Sequence, residues 1–206
     1  MPFAITITGP SGSGKSTVLR HIEDVATGVG VRTSIIERYT TRQRRSDDGP
    51  ELTIVEQIPR ACDLVYEQYG VRYGFQSSLL FDSISRGEAP VIIVNDIRTV
   101  ADVKTMLGPL AKALFLFRSS PGLQRYIRLA LTRAVMHPES DAERRFLKAN
   151  AIYRIYIENI QLFDHVVVNA GTLDDLKRQI ERIVRGIEGS DRVWPLRAPT
   201  SGADVS

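Results

Sequence analysis

Gly9-Pro10-Ser11-Gly12-Ser13-Gly14-Lys15-Ser16 is a complete G-x-x-x-x-G-K-S stretch, set between a short apolar run, residues 3–8, and a helix-like run from about Lys15 to Ala26. A loop of this form wraps polyphosphate oxygens with backbone N–H groups, so it needs glycine where a Cβ would collide or a positive φ is required. Gly9, Gly12 and Gly14 meet that need, and Ser11, Ser13 and Thr17 complete the candidate nucleotide-binding set. Lys15 would reach the β- and γ-phosphates as a point charge and Ser16 would offer its hydroxyl to Mg²⁺. The following helix aims about half a unit of positive charge at the anion. The expected ligands are therefore ATP and Mg²⁺. A chance Gly/Ser turn could carry these letters, but it would not need a strand before it and a helix after it.

Outward from the loop, runs rich in Val, Ile, Leu or Phe recur at 3–8, 31–37, 90–95, 111–117 and 164–168. Helical patterns alternate with them near 15–26, 76–87, 98–107, 121–136, 140–161 and 172–186. Near-continuous apolar strands separated by helices predict an α/β fold. Its parallel sheet, of P-loop NTPase type, is flanked by helices and binds ligands at the carboxyl ends of its strands. Two stretches break the alternation. Residues 39–75, rich in Arg, Asp and Tyr, are too long for a simple connection and read as a small inserted acceptor-binding lobe. Residues 133–145 carry Arg133, His137-Pro138, Glu139, Asp141, Arg144 and Arg145 between two helical patterns and read as a mobile lid. The domain is expected over 1–186, with 187–206 a flexible tail in which Trp194 is the one docking candidate.

The bulk composition sets limits. At 206 residues, with 43% hydrophobic and 25% charged residues, the chain suits one globular domain that buries about 70% of its unfolded surface. A net charge of +3 and the lack of an extended basic, aromatic-interleaved face argue against nucleic acid as a partner. The single cysteine, Cys62, excludes an internal disulfide framework, and His21, His137 and His165 lack metal-ligand spacing. No run of 18 apolar residues and no basic leader occur, so no membrane partner is expected and a soluble, cytoplasmic protein, monomer or homodimer, is.

The loop alone does not separate a kinase from other nucleotide hydrolases. Arg38-Tyr39-Thr40-Thr41-Arg42-Gln43-Arg44-Arg45 packs four arginines into eight positions after the second strand, near the sheet edge where the triphosphate would lie. Guanidinium and hydroxyl donors converging there suit a second anion, although most charge runs are only solvated faces. Asp96, closing the run Val91-Ile92-Ile93-Val94, could orient Mg²⁺-bound water or contact the acceptor, and could equally cap the next helix.

Over about residues 3–186 the chain resembles the guanylate kinase family of nucleoside monophosphate kinases. The resemblance rests on the loop through Thr17, Thr40-Thr41-Arg42 with Arg45, Gly70-Val71-Arg72-Tyr73-Gly74, Asp96, Phe163-Asp164 and Val166-Val167-Val168-Asn169. It implies that Arg42, Arg45 and Tyr73 hold the acceptor's phosphate, and that Arg133 with Arg144 or Arg145 stabilise charge on the transferring group alongside Lys15. The activity it implies is ATP-dependent phosphoryl transfer to a phosphorylated acceptor such as GMP. The match departs at the base. The family's usual serine stands at Arg38, its tyrosine near Leu52, its base-reading glutamate near Leu64 and its hydroxyl at Phe75. Glu51, Asp63 or Glu67 could substitute if the alignment shifts. Ribose 1,5-bisphosphate kinases, which make phosphoribosyl pyrophosphate, are locally similar at Arg38-Tyr39-x-Thr-Arg42, Gly70-x-x-Tyr73-Gly74 and Val94-Asn95-x-x-Arg98. They usually have aspartate where this chain has Ser16. Domains of this kind also serve as non-catalytic interaction modules, but those tend to lose the loop that Lys15 and Ser16 retain here.

Overall fold

The computed structural model describes residues 3–45, 48–68, 70–118 and 138–190. In chain order the elements are β1 (Ala4–Thr8), α1 (Lys15–Gly28), β2 (Thr33–Ile35), β3 (Arg38–Thr40), β4 (Leu52–Ile54), β5 (Leu64–Gln68) and β6 (Val71–Phe75). There follow α2 (Ser78–Ser85), β7 (Ala89–Ile93), α3 (Ile97–Leu107), β8 (Ala111–Phe117), α4 (Pro138–Glu158), β9 (His165–Val168) and α5 (Leu173–Ser190).

Five strands form a parallel sheet in the order β2-β7-β1-β8-β9. β1 lies at its centre, in register with β7 at Ile5↔Val91 and with β8 at Ala4↔Ala111. All five residues of β1 are buried, as a strand covered on both faces requires. Its alternate side chains feed two cores. Ile5 and Ile7 join Val91, Ile93, Leu114 and Leu116 on one face, covered by α1 and α5. Ala4 joins Ile92, Val94 and Ala113 on the other, covered by α3 and by Leu80 of α2. α1 contributes Val18, Leu19, Ile22 and Ala26, spaced three to four residues apart to make one helical stripe. The stripe of α5 is Leu176, Ile180, Val184 and Ile187. Because Ile187 continues that stripe and is buried, the helix runs to Ser190 and overruns the expected tail boundary at 187.

The inserted lobe is a second, four-stranded sheet in the order β4-β3-β6-β5, with β3 and β4 parallel and the other pairs antiparallel. It is fastened to the main domain through Leu64, Tyr66 and Phe75, which share the core of Ile92 and Val94. Part of the expected lid is helical: residues 138–145 are the opening turns of α4. That helix packs Ile152, Tyr153 and Tyr156 on Phe115. Arg133, His137, the expected helix at 121–136 and Trp194 lie outside the described residues. No helix among the described residues is long and apolar enough to cross a membrane.

Candidate active site

The glycine loop leaves the carboxyl end of β1 at the middle of the sheet and turns into α1. Gly14 sits at the N-terminus of that helix with φ +103°, which side chains rarely adopt, and a Cβ there would come within 2.7 Å of Asn169 Nδ2. At Gly9 the constraint is contact: a Cβ would meet the Leu116 carbonyl oxygen at 2.8 Å. Asn169, just beyond β9, donates from Nδ2 to the Ser13 carbonyl oxygen at 2.7 Å, tying the loop to the neighbouring strand end. The Lys15 ammonium folds over the loop, donating to the carbonyl oxygens of Gly9 at 2.7 Å and Pro10 at 2.8 Å. Phosphate oxygens carry full charge and are stronger partners than these carbonyls, so the contacts are exchangeable.

Ser11, Gly12, Gly14, Lys15, Ser16 and Thr17 face a cleft of about 560 Å³, whereas Ser13 is buried beneath the loop. The lobe forms the second wall through Arg38, Arg42, Arg45 and Tyr73, and α4 forms the third through Arg144 and Lys148. With Lys15 and Arg20, seven basic side chains line the cleft against two carboxylates, Asp48 and Glu51. A surface so charged attracts polyanions and holds them more firmly as water is excluded.

The basic groups of the lobe are held in different ways. Arg42 grips Asp48 in a two-pronged ion pair, Nη1 lying 2.9 Å from Oδ2 while Nη2 meets Oδ1, and the Arg45 backbone N–H donates to Oδ2 at 2.7 Å. Burial alone would raise the Asp48 pKa, but those hydrogen bonds and the charges of Arg42 and Arg45 carry it below the ordinary aspartate value. Tyr73 is positioned by the β5–β6 hairpin and stacked on its cross-strand partner Tyr66, ring centroids 5.3 Å apart. Arg38 points inward from β3, is only 5% exposed and hydrogen-bonds the Tyr66 phenol, while its Nε has no partner among the described residues.

Two expected residues lie off the main cleft. Asp96 accepts from the Thr99 backbone N–H at 2.8 Å and from Thr99 Oγ1 at 2.9 Å, capping α3, and does not line the main cleft. Its neighbour Asn95 takes that place. Arg98 follows on the exposed side of α3, away from the cleft, because the capped first turn rotates it outward. The Arg145 side chain, like Arg133, is outside what is described. Sequence reasoning missed Arg20, Asp48, Gln68, Asn95 and Lys148. The spacing of Lys148, four residues after Arg144 and hence on the same helical face, was the available signal for that residue.

Mg²⁺ fits at Ser16, whose exposed hydroxyl opens on the cleft at the head of α1. This ion is commonly held by few protein groups together with water and substrate phosphates. Asp96 stands apart from Ser16 in this respect: it does not line the main cleft, and its Oδ2 accepts both hydrogen bonds from Thr99. Among the described residues, no group of three or more His, Cys, Asp or Glu side chains could hold a metal.

The loop and the parallel sheet define a fold of P-loop type, and a basic lobe faces the loop across one cleft. No protein-family model matches the chain. It is 28% identical over 193 residues to guanylate kinase 2, chloroplastic/mitochondrial, of Oryza sativa subsp. japonica, covering 89% of this chain and spanning 64% of that protein's length. It is 27% identical over 188 residues to the guanylate kinase of Streptomyces kasugaensis, covering 87% and 85% of the two chains. A 27% identity over 201 residues links it to the phosphonates import ATP-binding protein PhnC of Ruegeria pomeroyi, covering 89% and 70%. Its fold matches the crystal structure of guanylate kinase from Anaplasma phagocytophilum with a TM-score of 0.60 at 17% identity, covering 90% of this chain and 85% of that one. In sequence and in fold the chain is similar to guanylate kinases.

Proposed function

We propose that the protein transfers the γ-phosphoryl group of ATP to the phosphate of a phosphorylated small molecule. The observation that carries this reading is that one cleft is walled by the glycine loop on one side and by Arg42, Arg45 and Tyr73 on another. The loop amides and Lys15 hold the donor, and the lobe arginines hold the acceptor phosphate in line. Arg144 and Lys148 add positive charge over the transferring group. Phosphoryl transfer needs little covalent chemistry from the protein beyond this positioning and charge stabilisation. Mg²⁺, held at Ser16, would supply neutralisation of the phosphate oxygens when bound. Arg42 is exchanged from Asp48 to the acceptor phosphate, which offers it the same two-pronged geometry with more charge.

Guanylate kinase likeness makes GMP the first acceptor to consider. A second reading, ribose 1,5-bisphosphate, is favoured by what occupies the family's base-reading positions. Leu64 and Phe75 face each other across β5 and β6 and are both buried in the core, so neither offers a donor or acceptor to a base. Of the potential substitutes, only Glu51 lines the cleft, while Asp63 is bound to the Ser77 backbone N–H at 2.7 Å. Coupled ADP production over GMP, dGMP, AMP, UMP, CMP and ribose 1,5-bisphosphate tests the reading. One acceptor is expected to raise ADP release at least about 10²-fold above the ATP-only rate, and rates indifferent to every acceptor would refute it.

A further inference from the structure

Among the described residues β9 is the outermost strand of the main sheet on the side of the nucleotide loop's anchor. Its pairing with β8 sends the Asn169 N–H inward to the Phe117 carbonyl oxygen at 2.8 Å, so the N–H and C=O of Val168 point outward. One side chain meets both. Gln179 of α5 accepts from the Val168 N–H through Oε1 at 2.9 Å and donates from Nε2 to the Val168 carbonyl oxygen at 2.9 Å. A primary amide carries a donor and an acceptor in one plane, as a peptide group does, so Gln179 stands where a sixth strand would. The helix presenting it is fixed. Leu176 and Ile180 are buried in the core, and Thr172 and Asp175 exchange hydrogen bonds across the first turn, the Thr172 N–H to Asp175 Oδ2 at 2.9 Å and the Asp175 N–H to Thr172 Oγ1 at 3.2 Å.

We infer that Gln179 is a positioning residue for the phosphate loop. It clamps Val168, Val168 sets the residue that follows it, and that residue, Asn169, holds the Ser13 carbonyl oxygen and packs against Gly14. This rests on the reading of the loop as the nucleotide site. Gln179 does not line the cleft, so it acts only through that chain of contacts. The end of a four-residue edge strand is where a sheet opens most easily, and a binding loop loses affinity when its support moves by about 0.5 Å. The clamp therefore stands at the point where the loop's support would otherwise be weakest.

A double-variant cycle tests this, with the full chain titrated calorimetrically against a non-hydrolysable ATP analogue and Mg²⁺ and melted in parallel. Gln179→Ala is expected to weaken analogue binding about 3-fold. With Asn169→Ala already present, the same change should alter binding by less than about 1.5-fold, because the contact that transmits it is gone. A glutamine that only protects the sheet edge would lower the melting temperature and leave analogue affinity as it was. That result, or an equal loss of affinity with and without Asn169, overturns the inference. Should Gln179→Ala fail to fold, Gln179→Met carries the same comparison, since it keeps the side chain's length and drops both hydrogen bonds. Titration needs no turnover and no acceptor. A wild type that binds no analogue would sink the nucleotide reading of the loop and this inference with it, whereas binding that ignores Gln179 would sink this inference alone.

Discussion

The glycine loop and the inserted lobe face each other across one cleft but present positive groups to it by different means. The loop is built from main chain: glycines placed by a positive φ and by close contact with Leu116, a helix N-terminus, and an anchor from Asn169 to the Ser13 carbonyl. The lobe is built from side chains on strands of three to five residues, with Arg42 held by Asp48 and Arg38 set against the Tyr66 phenol. A backbone device accepts any polyphosphate and leaves a fixed spacing in sequence. A side-chain device is specific to one ligand and can change without disturbing the fold.

The contrast is broken most severely by Lys15→Ala. Turnover should fall at least about 10²- to 10³-fold with every acceptor, while circular dichroism and the melting temperature stay near the wild-type values. Arg42→Ala should act on one side only, raising the acceptor KM about 10- to 100-fold and leaving that for ATP nearly unchanged. Because it strands Asp48, this variant should also lose stability, and adding Asp48→Asn should restore the stability but not the acceptor affinity. A double variant that recovers both would mean that Arg42 only supports the lobe.

Asp48→Asn alone is a smaller perturbation, of about 1.5–3 kcal/mol or roughly 5 °C in melting temperature at pH 7. The folded-state pKa of Asp48 lies below its unfolded value, so its stabilisation is present above the ordinary aspartate range, about 3.9, and is lost as pH falls through the folded value. The gap between wild type and variant should therefore close below about pH 4. A gap that widens in acid would show that the ion pair does not operate in solution. Asn169→Ala should have the smallest effect, about 1 kcal/mol of stability and a few-fold rise in the KM for ATP, with acceptor kinetics untouched.

The same division explains how much could be read in advance. The loop, the five main strands and, among the described residues, the helices around them were legible, because buried parallel strands and amphipathic helices carry strong periodicity and the loop's glycines are fixed by geometry. Arg38, Arg42, Arg45 and Tyr73 could be marked from clustering and resemblance, and they do line the cleft. The partnership of Arg42 with Asp48 was not legible, since it depends on how the turn after Arg45 folds back. Asp96 shows another limit: an aspartate between a strand and a helix satisfies the pattern of a ligand and of a cap together, and the structure shows the cap, through hydrogen bonds from Thr99. Ile187 lay past the glycine used as the domain's end, and its burial follows from one more turn of the α5 stripe.

The most direct measurement follows γ-labelled ATP in the presence of GMP and, separately, ribose 1,5-bisphosphate. With donor and acceptor phosphates held end to end in the cleft, label should appear on the acceptor in step with ADP, and the transfer should disappear in Lys15→Ala and fall in Arg42→Ala. Label released only as inorganic phosphate, at the same rate with or without acceptor, would contradict the account.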